Sequence, residues 1–297
     1  MYEEIAKNKW KSVFLIAFFA VLVVAVGSVF SYMFDYGFVG PVLALGIVIV
    51  MTVTSYWYSD RIVLGMSGAR PVSKETEPYL VNTIEGLSIA AGLPMPKAYV
   101  IDDPAPNAFA TGRNPQNAAI AVTTGLMEKL NRLELEGVVA HELSHVKNYD
   151  TLVQTLAAVM AGTIVLMADW MLRAFWWGGG RRRSGGSGAM GVIMLVAGIT
   201  LMVLAPLFAT VIQMAISRKR EFLADANGAL LTRYPDGLAS ALRKISVDRN
   251  QLRRANKATE SLYIYNPLKD IREGRGMNAL FNTHPPTAER IERLEAM

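Results

Sequence analysis

Cysteine is missing from this 297-residue chain, which excludes disulfides, a thiolate nucleophile and any cysteine-ligated metal site. The absence also fits groups that face a reducing compartment. Histidine is scarce, with three in the whole chain, so a site needing several imidazoles must draw on nearly all of them. Charge is thin as well: Asp, Glu, Lys and Arg make up 19% of the residues and apolar side chains 52%. The net charge is +5. No Lys/Arg stripe with interleaved aromatics of the kind nucleic acid requires is present, so no nucleic-acid partner is expected. A basic excess suits the cytoplasmic face of a bilayer, where Lys and Arg are retained.

What the chain has in quantity is uncharged length. A hydrocarbon core needs roughly 20 apolar residues of helix to cross it. Ser12 to Phe34 is uncharged, and after Asp35 so is Tyr36 to Ser59. These runs predict a tight helical hairpin; a cleaved signal peptide is the alternative, but the first run is too long for one and a second span follows at once. A third run, Thr151 to Ala168, meets Asp169 and Arg173, whose spacing suits an interfacial anchor pair. The fourth, Ser184 to Ser217, contains Pro206, a kink position. Between them, Gly178 to Gly188 holds Arg181, Arg182 and Arg183 in a Gly/Ser-rich loop.

Lys7, Lys9 and Lys11, then Arg61, Arg70 and Lys74, then the basic segment from Arg218 all fall on one side if every run spans. The positive-inside rule makes that side cytoplasmic. The three-arginine loop then runs against the rule; either the imbalance elsewhere overrides it or the third run does not fully cross. The expected organisation is a transmembrane hairpin over 1–59, a first catalytic part over 60–150, a second hairpin over 151–217 and a second catalytic part over 218–297. The whole reads as a mainly α membrane protein with about four transmembrane helices and a cytoplasmic α+β domain. Within that domain, Glu75 to Ala91, Asp236 to Ile245 and Ala288 to Met297 are expected as helices. Lys97 to Ile101 and Ala118 to Val122 are expected as strands.

Chemistry concentrates at His141-Glu142-Leu143-Ser144-His145. Histidines four apart lie on one face of an α-helix, so both imidazoles can reach one metal ion. Glu142 projects from the neighbouring position, near enough to act on a water held there. An ordinary amphipathic helix with two surface histidines is the plain alternative. Asn131 can cap this helix, with Glu134 three residues on as its reciprocal partner. A catalytic zinc takes three protein ligands and a water. In one class the third is a histidine six residues after the second, where this chain has Thr151, so the third ligand lies elsewhere. Glu221 and Asp225 are four apart in a basic-acidic block. Glu221 could ligate the metal while Asp225 hydrogen-bonds a ligand histidine and fixes its tautomer. The same spacing also describes a solvated charged helix start. If Glu221 meets the histidines, an even number of crossings must separate them, and two runs do.

At these residues the chain resembles the HtpX-type membrane metalloproteases, relatives of the CAAX prenyl endopeptidases. The resemblance covers the paired N-terminal spans, Asn107-Ala108-Phe109-Ala110-Thr111-Gly112, the His-Glu-x-x-His helix with Asn148 and Asp150 after it, and the block from Ser217 to Asp225. Thr283-His284-Pro285-Pro286, with Arg290 beyond it, extends the match to the end of the chain. The resemblance implies a zincin-like catalytic domain of the gluzincin kind holding one zinc ion, Zn2+. It implies a cell inner-membrane location and degradation of misfolded or damaged membrane proteins. It assigns His141, His145 and Glu221 as zinc ligands and Glu142 as general base. Asn107 and Ala108 become an edge strand that binds extended substrate, or else a plain turn and strand start. His284 becomes a proton donor or oxyanion stabiliser, or else a structural loop histidine before two prolines. Three rival readings stand beside this one: a metal transporter, a catalytically silent membrane scaffold, and an endopeptidase processing prenylated peptides.

Overall fold

A computed structural model describes residues 2–33, 37–163, 218–254, 259–267 and 285–297. The expected fourth hydrophobic run, the arginine-bearing loop, the end of the third run and His284 lie outside the described residues. The N-terminal runs form helices α1 (Tyr2–Met33) and α2 (Val39–Ser67). They pack against each other, and the Ser31 hydroxyl donates to the Gly37 carbonyl at 2.6 Å. Phe14, Val21, Ile47 and Val50 are all more than half exposed. Apolar side chains turned outward along two long helices suit lipid and are out of place in water. Ile5–Ala25 and Val39–Ser67 are each long and apolar enough to cross a bilayer. Helix α2 runs on past the expected end at Ser59 and stops at Gly68, which takes the left-handed conformation (φ +68°) that a side chain would resist.

Beyond α2 come β1 (Ala69–Pro71), α3 (Pro78–Ala91), β2 (Lys97–Ile101), β3 (Ala108–Gly112) and β4 (Ala118–Thr123). The sheet order is β1-β2-β4-β3, with β2 and β4 parallel and the other two pairs antiparallel. Strand β4 is central and buried on both faces, which is why Ala118-Ala119-Ile120-Ala121-Val122 shows no polar alternation. A short helix α4 (Thr124–Lys129) leads to α5 (Arg132–Lys147). The predicted capping box is present: the Asn131 N–H donates to Glu134 Oε2 at 2.8 Å, and the Glu134 N–H donates to Asn131 Oδ1 at 3.0 Å.

Helix α6, described over 150–163, is the first part of the third hydrophobic run. Val153, Ala157 and Met160 pack on Leu15 and Phe19 of α1. Ala158 and Val159 pack with Phe109 and Ala121 of the sheet and Val63 of α2. This stretch is therefore enclosed by protein. Among the described residues two helices meet the requirements of a span. The C-terminal part supplies α7 (Arg218–Thr232), α8 (Pro235–Val247) and α9 (Thr287–Glu295). One sheet face packs, through Val100 and Ile120, into a core with α3, α5 and α8 that includes Leu80, Ile84, Val138 and Leu242. Gly137 permits the close α5–α8 approach, since a Cβ there would lie 2.7 Å from the Leu238 amide nitrogen. Helix α5 thus lies between the sheet and the C-terminal helices, and α7 runs beside it.

Candidate metal centre

Helices α5 and α7 come close because Gly228 of α7 faces the α5 backbone; a Cβ on it would sit 3.1 Å from the His141 nitrogen. That contact brings Glu221, earlier on α7, opposite the two histidines. His141 Nε2 lies 3.8 Å from Glu221 Oε2, and His145 Nε2 lies 3.5 Å from Glu221 Oε1. The two Nε2 atoms are 3.2 Å apart. One donor atom from each of the three side chains falls within 4.8 Å of the others. All three residues are buried. The open question about the basic-acidic block is answered geometrically, because its carboxylates face inward from a buried stripe of α7.

The imidazoles are aimed from behind. Asp225 Oδ1 lies 2.9 Å from His141 Nδ1, the relation expected of it. Asp150 Oδ2 lies 3.0 Å from His145 Nδ1. Each carboxylate fixes the tautomer in which Nδ1 carries the hydrogen and Nε2 presents its lone pair. Arg290 of α9 donates to both oxygens of Asp225, from Nε at 2.8 Å and from a terminal nitrogen at 2.7 Å. Its other terminal nitrogen donates to the Ile264 carbonyl at 3.1 Å and lies 3.6 Å from Glu221. Arg220 lies 2.9 Å from Asp150.

The charge count supports a cation at the centre. Glu142, Asp150, Glu221 and Asp225 are buried together with Arg220 and Arg290. Four carboxylates less two guanidiniums leave two negative charges when the imidazoles are neutral. In the metal-free site protons on His145 and Glu142 take up that charge; a divalent cation would replace them, and two imidazole nitrogens plus a carboxylate are the donor set of a catalytic divalent site. The residues present fit the metal.

Proton affinities divide around this point. Burial raises the Glu142 carboxyl to about 7, and the nearby Glu221 adds to the rise against the opposing effects of His145 and the Ala110 N–H. Burial lowers His141, and the Asp225 carboxylate only partly offsets it. Burial also works to lower His145, yet Asp150 and Glu221 outweigh it and bring the imidazole to about 9. A metal at Nε2 competes with that proton. Burial alone would raise Asp225, but Arg290 and His141 hold it below the ordinary carboxylate range.

Asn107 and Ala108 sit where β3, an edge strand of the sheet, begins. Both are buried. The Asn107 amide donates to the Tyr265 carbonyl at 2.8 Å, and its oxygen accepts from the Tyr265 N–H at 3.3 Å. The Ala108 carbonyl accepts from the Ile264 N–H at 2.9 Å. The start of the edge strand is thus already paired with the chain's own 264–265 segment, while Ala110 directs its N–H to Glu142. Sequence reading missed the placement of Asp150 and Arg290 behind the ligands. The signal for Asp150 was its place five residues after His145, just past the end of α5; Arg290 offered no local signal.

A family model, Peptidase family M48, matches residues 74–297. A protease HtpX homolog of Dictyoglomus thermophilum is 49% identical over 296 residues, covering 100% of this chain and 94% of the relative. Another, of Streptococcus pneumoniae, is 46% identical over 302 residues and covers 100% of both chains. A crystal structure of S. mikatae Ste24p superposes with a TM-score of 0.52 at 18% identity, covering 99% of this chain and 67% of that one. That last likeness speaks for the fold alone.

Proposed function

The chain belongs to peptidase family M48, and from that premise we propose that this membrane metalloprotease is a zinc endopeptidase cutting misfolded or damaged membrane proteins at the cytoplasmic face. The observation that carries the reading is the convergence of His141, His145 and Glu221, whose donor atoms lie within 4.8 Å of one another. A zinc ion held by those three side chains would supply a Lewis acid and an activated water.

The chain's own residues do the rest. Asp225 and Asp150 hold the two imidazoles in their ligating tautomer. Glu142 takes a proton from the attacking water as its oxygen adds to the scissile carbonyl carbon. It then delivers that proton to the departing amine nitrogen as the C–N bond breaks. Burial raises its carboxyl to about 7 in the metal-free site, and a zinc ion beside it would favour the ionised form that accepts the proton. Substrate lies extended along β3, with Asn107 and Ala108 defining where that edge begins. His284 donates to the developing oxyanion. Four spans place both catalytic parts on the cytoplasmic side of the plasma membrane, as the Lys and Arg flanks favour.

The test is zinc content and cleavage of an unfolded membrane protein, wild type against Glu142→Gln. Equal zinc with lost cleavage is expected; normal cleavage by the variant refutes the assignment. Comparing prenylated with unmodified peptide separates this reading from prenyl-peptide processing.

A further inference from the structure

We propose that Asn8, in the first turns of membrane helix α1, is a positioning residue for the metal centre, acting through Asp150 on His145. The inference rests on His145 being a metal ligand. Asn8 is fully buried. Its amide nitrogen donates to Asp150 Oδ1 at 2.6 Å and to the Asn148 carbonyl at 2.8 Å. The other oxygen of the same carboxylate is the one 3.0 Å from His145 Nδ1. Two hydrogen bonds therefore connect a membrane helix to a ligand imidazole. The amide orientation is forced, because turning the side chain over would set its carbonyl oxygen against the Asp150 carboxylate.

The turn that carries Asp150 shows why an external clamp is needed. Tyr149, between α5 and α6, has φ +60°, a conformation that costs a residue with a bulky side chain and persists only where the surroundings enforce it. Helix α1 supplies those surroundings on both sides of Tyr149. Asn8 holds residues 148 and 150, and the Lys9 ammonium lies 4.9 Å from the centre of the Tyr149 ring. The Ser12 hydroxyl donates to the Asn8 carbonyl at 3.0 Å, bracing this part of α1. Without the Asn8 amide, the Asn148 carbonyl loses a donor and Asp150 is left with Arg220 and His145 to set its plane. The imidazole then loses part of its aim.

Partners behind metal ligands typically change affinity about 10- to 100-fold, and Asn8 stands one bond further out, so about tenfold is expected. The experiment titrates Zn2+ against a chelating dye in the full-length protein in detergent, alongside the visible spectrum of the Co2+-loaded form and kcat and KM for a short soluble peptide. Asn8→Ala should weaken metal binding about tenfold, alter the Co2+ bands and lower kcat with KM unchanged. In an Asp150→Ala background the further effect of Asn8→Ala should vanish. Asn8→Asp, equal in shape but lacking the donor and carrying a like charge toward Asp150, should lose more than Asn8→Ala. It replaces Asn8→Ala if that variant does not assemble. Metal affinity within twofold of wild type in both variants, or an undiminished effect in the Asp150→Ala background, overturns the proposal. If wild type itself binds no stoichiometric metal, the ligand assignment beneath it fails instead.

Discussion

Glu134 and Glu142 occupy the same helix, two turns apart, and both are shielded from solvent, 3% and 1% exposed, but Glu142 lies far deeper in the protein. Their chemistry is opposite. Glu134 is met by the Asn131 N–H at 2.8 Å, the Ser240 hydroxyl at 2.6 Å and the Lys244 ammonium at 2.7 Å. Burial works to raise its carboxyl, but these donors together leave it below the ordinary value. Glu142 has the Ala110 N–H and a neighbouring carboxylate, and burial takes it to about 7. The contrast shows depth and donors acting together: shallow burial with many donors keeps a carboxylate ionised, and deep burial with few raises it. At one end of α5 the donors are many and the group serves stability. At the other they are few and the group can exchange a proton.

Substitutions along α5 and its supports break this contrast in graded ways. The largest effect is expected from Glu142→Gln, which should lower cleavage by roughly 10²- to 10⁴-fold while zinc content and the melting temperature stay at wild-type values. Assay of purified protein in detergent checks all three. Asp225→Asn should weaken Zn2+ binding by about 10- to 100-fold, measured by competition with a chelator, and cleavage at limiting zinc should fall with it. Gly137→Ala forces a Cβ against the Leu238 backbone and should cost about 1–3 kcal/mol of stability, read as a lower denaturation midpoint with the metal ligands intact.

Glu134→Gln sharpens the contrast most and disturbs least. It should cost about 2 kcal/mol at neutral pH without changing the zinc content. The sign with pH follows from its depressed folded value. The stabilisation is fully present above the unfolded value near 4.5 and is lost as pH falls through the lower folded value. Wild type and Glu134→Gln should therefore converge in stability in acid and separate above about pH 5. Parallel midpoints at every pH would remove Glu134 from this role.

What the sequence made legible was local. The capping box at Asn131 and Glu134 and the His141–His145 pair are both spacings within a few residues, and the structure shows each. Glu221 and Asp225 were legible only as one of two choices, because an i, i+4 carboxylate pair looks the same whether a helix turns it to water or to a neighbour. Packing against α5 through Gly228 decided that question, and no short pattern encodes it. Arg290 was noticed without a role, since a buried guanidinium is defined by what surrounds it rather than by its sequence neighbours. Strand β1 was missed because three residues ending in proline carry no period. The pairing of residues 264–265 with the start of β3 was missed too, as it joins segments more than 150 residues apart. The third hydrophobic run shows a different limit. Uncharged length predicts burial, and residues 151–161 are covered by α1, α2 and the sheet, while the rest of the run lies outside the described residues.

The sheet's two borders also differ in what they allow. At β1 the strand is three residues long and contains Pro71, which has no N–H to offer. A short border interrupted by proline is a poor template for an added strand. The opposite border carries the Ala110 amide beside Glu142. If substrate pairs with the sheet as proposed, this is the border on which its backbone meets Glu142.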